Sequence, residues 1–229
     1  MGCLFYGVVM KRLLCILCIF ILWVNFAFSD ENFYKKEINS ALFDKINGKS
    51  YKSDCKTPLS ELTFIHILHI NVEGYVHGGE MICNKAIADD LLEIFKALYE
   101  ANYPIEKVRL VDEYNADDQA SMEDNNTSCF NYRTISGTNK VSMHGRGLAV
   151  DINPLYNPYH LVKGNGSEHI EPAGGAAYVD RGKSFDYKIE ADDLCVQLFK
   201  AHGFEWGGDW VVKGYKVFRD YQHFEKEIK

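Results

Sequence analysis

Between Leu62 and Tyr99 the spacing of apolar residues changes period, and this limits the fold more than any other feature of the chain. The stretch "LTFIHILHINVEG" alternates, with Leu62, Phe64, His66, Leu68, Ile70 and Val72 on one side. A period of two is that of a strand. "EGYVHGGEMICN" turns and continues as a second strand, as Gly74 and the Gly78-Gly79 pair allow. "NKAIADDLLEIFKALYEANYP" then sets Ile87, Leu91, Ile94, Phe95, Leu98 and Tyr99 at helical spacing. Asn84 can cap the start of this helix and Pro104 follows its end. Strand, strand and helix in succession, without βαβ alternation, favour an α+β fold over a doubly wound parallel sheet.

The rest of the chain extends this reading. "IEKVRLVDEY" and "GLAVDINP" read as short strands, and "DDLCVQLFKAH" as a helix over Asp192 to His202 stopped by Gly203. Two long excursions separate them: the polar "NADDQASMEDNNTSCFNYR", and residues 153–188, rich in Gly, Pro and Tyr. Loops this long in a compact domain are often functional. The expected core is one mainly antiparallel sheet of strands 62–72, 75–83, 106–112, 147–153 and 215–224, with the helix 84–101 packed on one face. Residues 61–229 form the domain. Residues 30–60 read as a loosely attached lead-in, with a short helical pattern around Phe33–Phe43.

The first 29 residues differ from everything after them. Lys11 and Arg12 precede the apolar run Leu13–Phe28, Ala27-Phe28-Ser29 closes it, and no acid occurs before Asp30. This is the pattern of a secretory signal peptide, with Met10 as an alternative start. The other reading is an uncleaved anchor, although a spanning helix needs about 20 apolar residues. Either one exports the remainder. Of seven cysteines, four (Cys55, Cys83, Cys129, Cys195) lie beyond this leader. Their wide spacing gives no zinc-binding Cys-x-x-Cys. One or two disulfides, or four buried thiols, both fit. The net charge of −7 and the lack of a Lys/Arg-rich run exclude a nucleic-acid footprint.

The chemistry concentrates in "VSMHGRGLAVDINP". His144 and Asp151 stand seven apart across a small, apolar segment. A turn followed by a buried strand explains that spacing, and so do two ligands of a metal ion. A catalytic zinc takes three protein ligands and keeps a fourth position open. His223 offers the third, and Asp220, three residues before it in "DYQH", offers a base for the metal's water. Residues i and i+3 of a regular strand point to opposite sides. Irregular backbone is therefore expected between Asp220 and His223. Ser142 either holds substrate or buttresses His144. Trp206 and Trp210 flank a Gly-Gly turn and either wall a substrate groove or pack in the core. Glu225 can share the strand face of His223 and reads as a supporting or solvated charge. His66 and His69, three apart on a strand, make a poor metal pair. The acidic Asp117-Asp118 and Glu123-Asp124 pairs lack the spacing of a calcium loop.

Three motifs in order, Ser142-x-His144-x-x-Gly147-x-Ala149-x-Asp151-Ile152, "GFEWGGDW" over Gly203 to Trp210, and Asp220-x-x-His223-Phe224-Glu225, give the chain a wider likeness. It resembles the zinc D-alanyl-D-alanine carboxypeptidase and L-alanyl-D-glutamate endopeptidase family, whose fold is shared with Hedgehog domains. The resemblance runs from about residue 60 to 227. It implies Zn2+ on His144, Asp151 and His223, with Asp220 as general base. "NNTSCFNYR" is also similar to the family and would bring Arg133 to the substrate carbonyl, although "RTISGT" follows where many relatives carry a helical Gln. The implied partners are peptidoglycan stem peptides, reached by an exported monomer that touches membrane only through its N-terminal signal or anchor. Because Hedgehog domains carry the same ligand set, a non-catalytic zinc-bearing wall-binding module is the alternative.

Overall fold

The computed structural model describes residues 31–135 and 138–228, and the leader expected over 1–29 lies outside them. The fold is α+β, built from small antiparallel sheets and a few helices. Strands β1 (Tyr34–Lys36), β2 (Leu62–Ile70) and β3 (Val76–Asn84) form the first sheet, in that order. β2 and β3 are an antiparallel hairpin with Leu62 opposite Asn84 and Ile70 opposite Val76. Between β1 and β2 comes helix α1 (Ser40–Ile46), whose start is capped by Asn39 accepting from Leu42 N–H. Helix α2 (Lys85–Glu100) follows β3 directly, with Asn84 Oδ1 accepting from Ala86 N–H, as its sequence suggests.

Both faces of this sheet are covered, which accounts for the strongly apolar β2. Ile65 and Ile67 of β2, with Met81 and Cys83 of β3, face α2 through its buried Ile87, Leu91, Ile94, Phe95 and Leu98. Phe64 and Ile82 face the other way, against Leu42 and Ile46 of α1 and against Phe130 and Tyr132. Residues 32–60 are thus part of the packed domain, which corrects the loosely attached lead-in. Burying Leu42 and Ile46 contributes about 1.5–3 kcal/mol each relative to exposure. The helical pattern around Phe33–Phe43 is likewise corrected: β1 and α1 share that stretch.

The single sheet expected from the sequence is corrected too. Beyond the first sheet, β4 (Lys107–Val108) pairs in parallel with β5 (Asn126–Thr127), and helix α3 (Asp118–Glu123) lies between them in the polar stretch. β6 (Ala149–Asp151), β11 (His223–Glu225) and β9 (Glu205–Trp206) make another sheet, in the order β6-β11-β9. β7 (Tyr159–Lys163), β8 (Glu168–Glu171) and β10 (Tyr215–Asp220) make a fourth, in the order β10-β7-β8. The presumed strand 215–224 is therefore two strands in two sheets, broken at Tyr221-Gln222. Helix α4 (Leu194–Ala201), capped by Asp193, closes the main core through Cys195, Val196 and Phe199. Among the described residues no helix is long and apolar enough to cross a membrane.

Candidate metal centre

Two strands and one tight turn bring three donors together. In the β6–β11 ladder Asp151 is directly opposite His223. Directly opposed residues project to the same side of a sheet. His144 arrives from a 3-10 turn, His144–Arg146, immediately before β6. That turn ends on Gly147 at φ +67, and a Cβ there would lie 2.7 Å from Asn84 N, so only glycine lets the turn close against the end of β3. The ligand atoms of His144, Asp151 and His223 all lie within 4.8 Å of one another, and all three residues are buried. His144 Nε2 is 3.1 Å from His223 Nδ1 and 3.2 Å from Asp151 Oδ2, while His223 Nδ1 is 3.1 Å from Asp151 Oδ1.

The outward nitrogens are also engaged. His144 Nδ1 donates to the Cys129 carbonyl at 2.8 Å, which leaves Nε2 a lone pair facing the cluster. His223 Nε2 donates to Glu225 Oε2 at 2.9 Å, which leaves Nδ1 facing inward. Such outer partners fix the tautomer and ring orientation of metal-binding histidines. Two nitrogens and a carboxylate oxygen are the donor set of a catalytic zinc site. Donors about 2.0–2.2 Å from a shared ion, as zinc requires, stand apart by distances close to those found, so the residues fit the metal.

Charge follows from this packing. Burial alone raises a carboxyl, but His144 and His223 hold Asp151 well below the ordinary range. Burial works against protonated His223, yet its hydrogen bonds to Asp151 and Glu225 push it up to about 10. Asp220 differs. Burial, first, and then the Asp151 charge push it up to about 7 against the pull of the histidines, and its Oδ1 is buried without a hydrogen-bond partner. β10 ends at Asp220 and β11 starts at His223, with a bend at Tyr221-Gln222. That is the irregular backbone needed to turn both residues toward one place. A Cβ on Gly207 would sit 2.5 Å from the Asp220 carbonyl oxygen, so this glycine lets the 207–209 turn press against the acid.

Residues 136–226 match the family model described as D-alanyl-D-alanine carboxypeptidase. Over this segment the chain is similar to the D-alanyl-D-alanine carboxypeptidase family. The family segment contains all three donors, Asp220 and Glu225, and bears out the resemblance read from the three motifs. Arg133 lies just outside it. No curated protein and no solved structure matches the chain.

The remaining candidates sort by contact. Ser142 is buried, and its Oγ accepts from His144 N–H at 3.3 Å, which buttresses the His144 turn. Trp210 is half-buried with its ring 5.3 Å from that of His223, beside the cluster. Trp206 is only 3% exposed, joins the main core and donates Nε1 to the Tyr221 carbonyl. Its place as a groove wall is corrected: it is a core residue, because its ring packs between Tyr221 and Phe224. Arg133 Nη2 pairs with Asp118 Oδ2 at 2.8 Å. His69 is buried with Nδ1 on the Ile105 carbonyl, and His66 stacks on Tyr34, so the two form no pair. Cys83, Cys129 and Cys195 are buried free thiols, and Cys55 is a half-buried one. The Cys129 carbonyl carried no signal in the sequence, since any residue supplies one. Asp118 was visible there only as one acid among several.

Proposed function

We propose that the protein is an exported zinc metallopeptidase that hydrolyses peptide bonds in the stem peptide of peptidoglycan. The observation that carries this reading is the buried convergence of His144, Asp151 and His223 within a family segment, with Asp220 beside them. Zinc bound there supplies Lewis-acid polarisation of the substrate carbonyl and activation of a water molecule. Asp220 accepts the proton of the attacking water. Its burial suits this, because desolvation makes a buried carboxylate a stronger proton acceptor than an exposed one. It then passes the proton to the leaving amine. Arg133 opposes the negative charge that develops on the carbonyl oxygen. Ser142 holds His144 in place and Trp210 walls the substrate side.

The bond cut is either L-Ala-D-Glu, by an endopeptidase, or D-Ala-D-Ala, by a carboxypeptidase. Export rests on the leader of residues 1–29. Mass analysis of defined muropeptides after incubation with the zinc-loaded protein tests the reading and gives the bond. Loss of a terminal residue identifies a carboxypeptidase, and internal scission an endopeptidase. Zinc-loaded protein that binds muropeptides yet cleaves none from pH 5 to 9 is instead a wall-binding module.

A further inference from the structure

Among the described residues four buried side-chain atoms have no hydrogen-bond partner: Asn131 Oδ1, Arg133 Nε, Asp220 Oδ1 and Gln222 Oε1. A buried polar atom without a partner costs about 1–3 kcal/mol. All four fall in two short segments, 131–133 and 220–222, and each segment adjoins the metal centre. Asp220 already has a role. The 131–133 segment carries a different one.

Residues 131–134 run antiparallel to 141–144. Thr134 bridges Val141, Ser142 N–H donates to the Arg133 carbonyl, and Asn131 N–H donates to the His144 carbonyl at 3.2 Å. Asn131 is thus opposite the ligand His144, and Arg133 opposite Ser142. Phe130 and Tyr132 turn to the core, while Asn131 and Arg133 share the other side, as alternation requires. One carboxylate clamps both. Asp118 Oδ1 accepts from Asn131 Nδ2 at 3.2 Å, and Asp118 Oδ2 accepts from Arg133 Nη2 at 2.8 Å. Asn131 Nδ2 also reaches the Ala116 carbonyl at 3.4 Å. With acceptors on its nitrogen side, the amide has one orientation, and its oxygen is the atom left over.

The clamp therefore leaves one fixed acceptor, Asn131 Oδ1, and one fixed donor, Arg133 Nε, on residues that share one side of the segment. In an extended peptide the N–H and C=O of one residue point the same way, whereas the two groups of one peptide bond point apart. An acceptor and a donor on one side of the segment complement the N–H and C=O that one residue of an extended chain turns to one side. We propose that Asn131 is a substrate-binding residue that accepts the N–H of the residue whose carbonyl is attacked, while Arg133 donates to that carbonyl and Asp118 positions both. This rests on the peptidase reading and adds to it a requirement for a secondary amide one bond before the cut.

The test compares the muramoyl pentapeptide, in which every stem residue carries an amide nitrogen, with an analogue methylated on that one nitrogen, once mass analysis has fixed the bond cleaved. A hydrogen bond of ordinary strength predicts that methylation lowers kcat/KM of the parent about 10-fold, and that of Asn131→Ala by no more than about 2-fold. On the unmethylated peptide Asn131→Ala should raise KM about 10-fold with kcat nearly unchanged. An equal methylation penalty in parent and variant overturns the proposal. So does a parent that cleaves both peptides equally fast, a result that needs no folded variant. Either outcome leaves the peptidase reading standing, whereas a parent that cleaves no peptide removes both.

Discussion

Asp151 and His223 face each other across the β6–β11 ladder, with Oδ1 and Nδ1 3.1 Å apart. A register slip of one residue would send Asp151 into the core and Val150 into the site. Val150 and Phe224, buried on the core side, fix the register against that slip. The same packing that stabilises the sheet therefore sets the donor geometry.

His223→Ala removes a donor and should abolish both zinc binding and hydrolysis. Glu225→Gln leaves the donors intact and removes only the anionic partner of His223 Nε2. Zinc affinity should fall about 10–100-fold, as for other outer-shell changes. Competition with a chromophoric chelator measures it, and unaltered affinity in Glu225→Gln would show that the contact does not support the ligand.

Asp220→Asn should lower kcat about 10²–10⁴-fold while zinc content stays near that of the parent, because a base is not a ligand. The parent's kcat/KM should rise with pH as Asp220 loses its proton. In the metal-free protein that happens at about 7, and a bound cation moves it lower. The rising limb should be absent from the residual rate of Asp220→Asn. A limb of the same position in the variant would assign the titration to another group.

Gly207→Ala places a methyl 2.5 Å from the Asp220 carbonyl oxygen and 2.7 Å from its Cβ. Relief of such overpacking costs typically about 1–3 kcal/mol and moves the acid. The variant should melt lower and lose rate, with zinc content retained. Full activity would mean that the 207–209 turn does not position Asp220.

Asp90 ties α2 to the end of α4 and to the segment after β11, with Lys226 Nζ at 2.7 Å and His202 Nδ1 at 3.2 Å. Burial raises its pKa, but the hydrogen bonds from Lys226 and His202 outweigh that and lower it from 3.8. A depressed carboxyl stabilises the fold above its unfolded value and loses this as pH falls through the folded one. Asp90→Asn should therefore cost about 0.5–1 kcal/mol at pH 7, shrinking towards zero as pH falls through the lowered value of Asp90. Urea melts at pH 7 and below that lowered value check it, and a penalty that grows on acidification would contradict the assignment.

The metal centre was legible because His144, Asp151 and His223 carry their chemistry in their residue types. Two of them sit where strand and turn signals are short and clear. Asp220 followed from the same spacing argument, given the bend at Tyr221-Gln222. Larger architecture was less legible. Aromatic residues recur throughout 215–224, and no glycine or proline marks the two residues at which the chain leaves one sheet for another. β7 and β8, with five and four residues, are too short for a period to stand out of a Gly- and Tyr-rich stretch. Trp206 and Trp210 look alike beside the Gly-Gly turn. Only packing separates the core residue from the one beside His223. Asn131 was hidden for another reason, since the clamp through Asp118 joins residues 13 apart in a segment read as loop.

The proposed activity requires zinc held by the His144–Asp151–His223 cluster. Metal-stripped protein titrated with zinc, with muropeptide cleavage followed by mass analysis at each addition, tests this directly. Cleavage should rise from baseline and level off at about one zinc per chain, the capacity of one three-ligand site, and the same titration of His223→Ala should stay flat. A parent that cleaves equally well without zinc, or a His223→Ala protein restored by about one equivalent, would contradict it.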